Sequence, residues 1–195
     1  MKSGVCIKQH DITDCGAACL SSVAAYYELQ LPLARIRQIT HTDRQGTNFL
    51  GMVEAAQKLG FAAKGVKAIE TINNRSIGKK SSLYKIPLPA IAHIILNGKL
   101  QHFVVIYKIG RDKIWIMDPV TGEIKAELIE EFMQKWTGML LLIVPDEDFV
   151  KRNEKVSIIY RFWFLFKPHR KVFIQALFGS LIYTVIGLIS AICIQ

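Results

Sequence analysis

The chain of 195 residues is poor in cysteine and lacks the sequence signals of a cofactor site. Its four cysteines, Cys6, Cys15, Cys19 and Cys193, form no CxxC pair, so the sequence predicts neither a disulfide framework nor a zinc site. No GxxxxGK[ST] phosphate-binding loop is present, and Gly78-Lys79-Lys80-Ser81 has neither the spacing nor the upstream glycine of one. We therefore expect no metal ion, no other cofactor and no use of ATP in this chain.

The N-terminus also lacks a signal peptide, because its first residues lead into a short and interrupted apolar stretch. By contrast, residues 172–194 contain no charged side chain. A helix needs about 20 apolar residues to cross the hydrocarbon core of a bilayer, so a transmembrane helix is predicted over residues 171–195. Lys167 and Arg170 lie directly before it, and the positive-inside rule then places residues 1–170 in the cytoplasm, at the cytoplasmic or inner membrane.

Acidic residues are scarce as well: 16 stand against 25 basic ones, which gives a net charge of +9. Much of the excess lies between residues 151 and 171, where seven basic side chains accompany one acidic side chain, Glu154. Aromatic and aliphatic residues alternate with these charges. This pattern favours an amphipathic helix lying on anionic lipid over a nucleic-acid-binding segment. We expect residues 151–170 to form this interfacial elbow and Pro168 to separate it from the span.

Residues 1–150 have helical periodicity first and strand periodicity later, which predicts one α+β domain. Helices are predicted over residues 15–28, 32–38 and 48–59, and Gly60 is expected to end the third one. The second half is rich in short β-type runs separated by turn signals, which predicts an antiparallel sheet. The predicted strands are residues 90–96, 103–108, 113–117 and 139–144, with a helix over residues 127–136 before the last of them.

Cys15 lies where a predicted helix begins, after Thr13-Asp14, which can cap that helix. Unpaired backbone N–H groups and the positive end of the helix dipole stabilise a thiolate at such a position. Cys15 is therefore a candidate nucleophile. A buried cysteine that only packs is the alternative, and we assign Cys6 and Cys19 to that role.

Two residues of the β-rich half are candidate partners for this thiol. The predicted strands 103–108 and 113–117 are joined by a tight turn and should pair in antiparallel fashion. That pairing brings His102, before the first strand, next to Asp118, after the second one. A histidine can take the thiol proton, and a carboxylate can hold the imidazole in its working tautomer. The order Cys, His, Asp favours a cysteine protease.

The segment from Gln9 to Cys19, Gln-His-Asp-Ile-Thr-Asp-Cys-Gly-Ala-Ala-Cys, resembles a family signature. It is similar to that of the bacteriocin-processing cysteine peptidase domain at the N-terminus of peptidase-containing ATP-binding cassette transporters. Gly46-Thr47, Gly60-Phe61, the run from His102 to Val105 and Asp118-Pro119 resemble the family's later motifs in the right order. The resemblance covers essentially the whole chain.

This resemblance implies a papain-like fold and cleavage of a leader peptide after Gly-Gly or Gly-Ala during export of the cargo. By position, it implies that Cys15 is the nucleophile, His102 the general base and acid, and Asp118 the group that orients His102. Gln9 would be a side-chain donor to the oxyanion hole, beside the backbone N–H of Cys15.

The resemblance also implies partners that this chain does not contain. They are a precursor peptide with a double-glycine leader, membrane lipid, and the rest of an exporter that is expected to be homodimeric. ATP and Mg²⁺ are expected only in the separate nucleotide-binding domain of that exporter. No nucleic acid is expected as a partner. The chain is thus expected to be a fragment or a truncated product. A non-catalytic docking domain of a peptide or toxin exporter is the main alternative, and a membrane anchor that only recruits a partner is a weaker one.

Overall fold

The structure, a computed structural model, separates into two compact units, Met1–Lys155 and Val156–Gln195. The parts of the chain that it describes are residues 4–44, 46–68, 83–96, 98–154 and 158–193.

The first half of the larger unit is helical, as the periodicity predicts. A 3₁₀ turn, Ile12–Asp14, leads directly into α1, and the helices of this unit are α1 (Cys15–Tyr26), α2 (Leu33–Ile39), α3 (Phe49–Lys58) and α4 (Ile129–Lys135). Every residue of α1 from Cys15 to Ala25 is buried, because its small side chains let neighbouring elements approach on all sides. The Asn48 side chain caps α3 by accepting from the Leu50 N–H, and Gly60, with φ of +86°, follows its end.

The second half forms a six-stranded antiparallel sheet with strand order β2-β7-β3-β4-β5-β6, which confirms the α+β class. Sequence periodicity missed β2, which contains Gly65 and two exposed lysines, and the edge strand β6, which has three charged residues. A separate two-residue parallel pair joins β1 to β8. The strands are β1 (Leu29–Gln30), β2 (Phe61–Lys67), β3 (Ala90–Leu96), β4 (Leu100–Ile109), β5 (Lys113–Asp118), β6 (Glu123–Leu128), β7 (Trp136–Pro145) and β8 (Arg152–Asn153).

Each face of the sheet has its own apolar core. On one face, Phe103, Val105 and Met117 pack with α1, α2 and α3. On the other, Ile106 and Ile114 pack with Phe132 of α4. The sheet is therefore held between a three-helix layer and a single short helix, and α1 lies against β4.

The smaller unit contains one helix, α5 (Ile158–Cys193), of 36 residues. Pro168 lies inside this helix, so the expectation that it separates an elbow from a second helix is wrong. A proline removes one backbone hydrogen bond and can kink a helix, but the helix on either side of Pro168 continues. Over the described residues, no helix reaches both the length and the apolar character needed to cross a membrane. The transmembrane helix predicted for residues 171–195 is thus not confirmed, and residues 194–195 lie outside the described part.

Candidate active site

Cys15 is the first residue of α1 and its side chain is buried among core residues. The turn before it is fixed by two aspartates: Asp11 caps the 3₁₀ turn, and the Asp14 carboxylate accepts from the Asp11 N–H at 3.1 Å. Asp14 makes no side-chain cap to α1, so the expected role of Thr13-Asp14 as the helix cap is wrong. The carboxylate instead closes the preceding turn.

Asp14 is fully buried, and a cation of α2 compensates its charge. The Nε atom of Arg37 lies 3.0 Å from Asp14 Oδ1. That oxygen makes no aligned hydrogen bond in the described part of the chain, so the contact is an ion pair. Because a buried carboxylate next to a thiol would oppose a thiolate, the guanidinium of Arg37 keeps the surroundings of Cys15 from becoming net negative.

A row of hydroxyl groups holds the loop between α2 and α3 against the turn before Cys15. Thr40 and Thr42 are joined at 2.8 Å, Thr42 and Thr47 at 2.8 Å, and Thr47 donates to the Thr13 carbonyl at 3.4 Å. Gly16 permits this close approach, because a Cβ there would lie 2.7 Å from the Cβ of Thr47. The loop therefore forms a wall directly beside the thiol.

His102 and Asp118 meet as the predicted strand pairing requires. Asp118 ends β5, and its Oδ1 accepts from His102 Nε2 at 2.9 Å and from the Val120 N–H at 2.9 Å. His102 is nearly fully buried, whereas Asp118 is about one-third exposed. Antiparallel register thus brings together two residues that are 16 positions apart.

The Cys15 thiol lies near the same imidazole and acts on its charge. Since Asp118 occupies Nε2, Nδ1 is the ring nitrogen left for the thiol. Burial alone would lower the pKa of His102, but the hydrogen bond to Asp118 and the neighbouring Cys15 thiol outweigh it and raise the pKa to about 9. Burial likewise acts to raise the pKa of Asp118, but the hydrogen bonds from His102 and the Val120 N–H lower it overall. The site therefore favours a charged imidazole next to a carboxylate.

Gln9 lies at the same end of the sheet, because its backbone N–H donates to the Pro119 carbonyl at 2.9 Å. Its side-chain oxygen is buried and makes no hydrogen bond within the described residues. Such an oxygen is costly to leave unpaired, and a ligand near the side chain is one way to compensate it. Gln9, Cys15, His102 and Asp118 are thus all found around one end of α1.

The other cysteines behave in two ways. Cys19 is fully buried one turn after Cys15, which confirms that it packs in the core, and burial raises the pKa of its thiol well above the usual range. Cys6 is exposed, so its assignment to packing is wrong. Its segment runs along the surface, with the Tyr107 hydroxyl donating to the Val5 carbonyl. The Cys193 side chain lies outside the described part.

A cavity of about 700 Å³ was not predicted from sequence, and it is lined by neighbours of the candidate site residues and not by those residues themselves. Its wall includes Gly46 and Thr47, and its floor includes Phe103 and His93 of the sheet. Sequence periodicity marked His93 only as a strand residue. Among the described residues, no group of three or more histidines, cysteines or carboxylates is arranged to hold a metal ion.

Comparison with known proteins gives a consistent family assignment. The family model described as the Peptidase C39 family matches residues 4–148. The lactococcin-G-processing and transport ATP-binding protein LagD of Lactococcus lactis subsp. lactis is 36% identical over 190 residues, which are 97% of this chain and 24% of that protein. The transport/processing ATP-binding protein ComA of Streptococcus pneumoniae R6 is 30% identical over 188 residues, which are 96% of this chain and 25% of that protein. The chain thus spans about a quarter of the length of these relatives.

Solved structures of peptidase domains are similar as well. The peptidase domain of Streptococcus ComA superimposes with a TM-score of 0.64 at 33% identity, over 74% of this chain and 100% of that one. A double-glycine-motif protease from a transporter, solved in complex with its leader peptide, gives a TM-score of 0.63 at 31% identity, over 73% of this chain and 92% of that one. The papain-like α+β peptidase fold is confirmed. With a family model that matches residues 4–148, the chain belongs to the peptidase C39 family.

Proposed function

We propose that this chain is a cysteine endopeptidase that removes double-glycine-type leaders from bacteriocin or related peptide precursors. Its cleavage is coupled to export by an ATP-binding cassette transporter. The observation that carries the proposal is the array in which the buried Cys15 thiol lies near the His102 imidazole, whose Nε2 is hydrogen-bonded to the Asp118 carboxylate. The relatives include processing and transport proteins for lactococcins, which supports the substrate class.

Acylation is the first step. The thiolate of Cys15 attacks the carbonyl carbon of the last leader residue, and the carbonyl oxygen becomes an oxyanion. The Cys15 backbone N–H and the Gln9 amide donate to that oxygen. The position of Gln9 supports this role, because its backbone N–H donates to the Pro119 carbonyl directly after Asp118. A donor aimed at a developing oxyanion lowers the barrier by about 3 to 4 kcal/mol.

Proton transfer by His102 completes both half-reactions. The imidazolium donates its Nδ1 proton to the leaving amine of the cargo peptide, the C–N bond breaks, and the leader remains as a thioester on Cys15. The neutral imidazole then takes a proton from water, whose oxygen attacks the thioester and releases the leader acid and the thiolate. Asp118 keeps the proton on Nε2 throughout, so Nδ1 remains the atom that exchanges protons.

Specificity for Gly-Gly or Gly-Ala would follow from crowding at the thiol. The 3₁₀ turn lies on one side of Cys15, and the loop wall formed by Gly46 and Thr47 packs against Gly16 of α1. A substrate Cβ next to the scissile bond must fit between these groups. Exclusion by size explains why a residue no larger than alanine would be required directly before the cut, and glycine before that.

The setting of this peptidase is part of the proposal. In α5, Trp163 and Phe164 are exposed beside the basic Lys167 and Arg170, a combination that supports contact with anionic lipid. The peptidase unit would work on the cytoplasmic side of the membrane. Transport, dimerisation and the use of ATP and Mg²⁺ would belong to the remaining length of proteins such as the relatives.

Incubating the 195-residue chain with a double-glycine leader peptide, with and without a thiol alkylator, tests this proposal. We expect one cut after the glycine pair, detected by mass spectrometry, and its loss after alkylation. Binding of the leader without any cut under reducing conditions would favour the docking domain instead.

A further inference from the structure

We propose that the cavity beside the catalytic residues binds a lysine or arginine side chain of the leader, and that His93 is the residue that recognises it. This inference rests on the proposed function. It concerns the cavity of about 700 Å³ between the α2–α3 loop, the start of α3 and the β3–β4 pair.

The tautomer of His93 follows from its hydrogen bonds to Thr137. The Thr137 hydroxyl donates its one proton to the His93 carbonyl at 3.0 Å, since a carbonyl can only accept. The same oxygen lies 3.0 Å from His93 Nδ1, so Nδ1 must carry the proton and donate it. Burial, and the nearby charge of His102, lower the pKa of His93, which keeps the ring neutral. Nε2 is therefore a hydrogen-bond acceptor.

This acceptor has no hydrogen-bond partner among the residues that the structure describes, and His93 is one of the residues that line the cavity. His93 pairs across the strands with Phe103, and the two rings pack with their centres 5.1 Å apart. Phe103 directly follows His102 in β4. A peptide side chain that reaches His93 Nε2 therefore belongs to a residue close to the scissile bond, and it must supply a proton.

The charges around the cavity favour a cation as the donor. Glu54 and Asp43 line it, and the described lining includes no lysine or arginine. The α3 N-terminus also borders the cavity, but the Asn48 side chain already caps its Leu50 N–H, so this end is not a bare anion site. A lysine or arginine donates to a neutral imidazole and is attracted by the Glu54 carboxylate.

The position of the cavity assigns this side chain to the leader. After acylation the leader remains bonded to Cys15, while the cargo leaves. The cavity wall is built on Thr47, which packs on Gly16 and donates to the Thr13 carbonyl. It therefore begins beside the first turn of α1, next to the thiol to which the acyl part of the substrate would be bonded.

The test compares lysine with norleucine, which has the same linear chain without the ammonium group. Fluorogenic Gly-Gly peptides carry one or the other at each of the four positions before the glycine pair and each of the two positions after it. With the 195-residue chain, we expect lysine to raise kcat/KM about tenfold at one leader position, mainly through KM, as a charged hydrogen bond would. Glutamate there should lower it.

Variants assign the effect to His93. His93→Leu should bring the ratio of kcat/KM for the lysine and norleucine peptides close to one. Thr137→Val removes the hydroxyl that keeps the proton of His93 on Nδ1, and it should reduce this ratio partly. His10→Leu removes an exposed histidine outside the cavity and should keep the wild-type ratio. Circular dichroism checks that each variant is folded.

Three results would overturn the inference while leaving the proposed function standing: equal cleavage of all leader-side peptides, a lysine effect on the cargo side only, or a ratio that His93→Leu does not change. Cleavage of none of the peptides would instead overturn the proposed function itself.

Discussion

The two flanks of the cleft are built in different ways. On the helical flank, Gln9 and Cys15 lie six residues apart, and a local turn closed by Asp14 positions them. On the sheet flank, His102 and Asp118 meet only because β4 and β5 pair in the right register. The helical flank holds the groups that would act on the scissile carbonyl, and the sheet flank decides where the proton is held. Changes to the first should lower the rate at every pH, whereas changes to Asp118 should alter the pH dependence.

The largest effect is expected for Cys15→Ala on the helical flank. Without the thiolate no thioester forms, so cleavage of a double-glycine leader should fall by on the order of 10⁴-fold or more. Calorimetry should still detect leader binding, because the cavity and the rest of the cleft remain. Cys6→Ala removes an exposed thiol and is the matched control, which should cut normally. Cleavage by Cys15→Ala near the wild-type rate would contradict the assignment.

His102→Ala on the sheet flank should be nearly as damaging. The imidazole both stabilises the thiolate and protonates the leaving amine, and members of one catalytic unit are not additive. We expect a loss of about 10³- to 10⁴-fold in kcat, at the upper end for one acid–base group. Iodoacetamide should also modify Cys15 more slowly at neutral pH. A loss of only a few fold would mean that the hydrogen-bonded array is not the catalytic one.

Gln9→Ala separates oxyanion stabilisation from nucleophilicity on the helical flank. Loss of one oxyanion donor should reduce kcat by about 10²- to 10³-fold with little change in KM. The rate of Cys15 alkylation should be retained, since the thiol and His102 are intact. Lys8→Ala changes the exposed neighbouring side chain and serves as the control. If both variants cut equally well, Gln9 lies outside the oxyanion hole.

The contrast between the flanks also explains what the sequence could predict. Cys15 was found from local signals, a helix start and a run of small residues, because its position depends on its neighbours in the chain. His102 and Asp118 were paired correctly because a tight turn makes the two strands antiparallel neighbours, and the register shift between Ile106 and Lys108 still leaves the two residues in contact. Strand β3 was predicted with its observed bounds, since all of its residues except His93 are apolar.

Features that depend on distant contacts could not be predicted. Arg37 lies on α2 and forms an ion pair with Asp14, which precedes α1. The pattern of residues in α2 does not indicate that Arg37 pairs with Asp14. His93 looked like an ordinary strand residue because Thr137, which fixes its tautomer, lies 44 positions away. Cys6 looked like a packing residue by residue type alone, whereas its segment lies at the surface. Each of these depends on which side chains the fold places opposite one another.

The smallest effect on rate is expected for Asp118→Asn. This change on the sheet flank should instead alter how kcat depends on pH. An asparagine oxygen can still accept from His102 Nε2, so the tautomer is kept and kcat at neutral pH should fall only by about tenfold. Loss of the carboxylate removes a group that raises the pKa of His102 to about 9. The alkaline limb of the kcat profile, which lies near that pH in the wild type, should therefore move to lower pH.

The same substitution should change how stability depends on pH. The pKa of His102 is raised above its unfolded value of about 6.5, so its pairing stabilises the fold fully below that pH and is lost as pH rises towards about 9. The pKa of Asp118 is lowered, so its contribution is present above about 3.9 and lost as pH falls through its lower folded pKa. Urea midpoints should thus decline between pH 7 and pH 9.5 in the wild type, and less in Asp118→Asn. Equal declines in both proteins would mean that the Asp118 carboxylate does not hold the proton on His102. The pH dependence of stability at His102 would then arise from Cys15 alone.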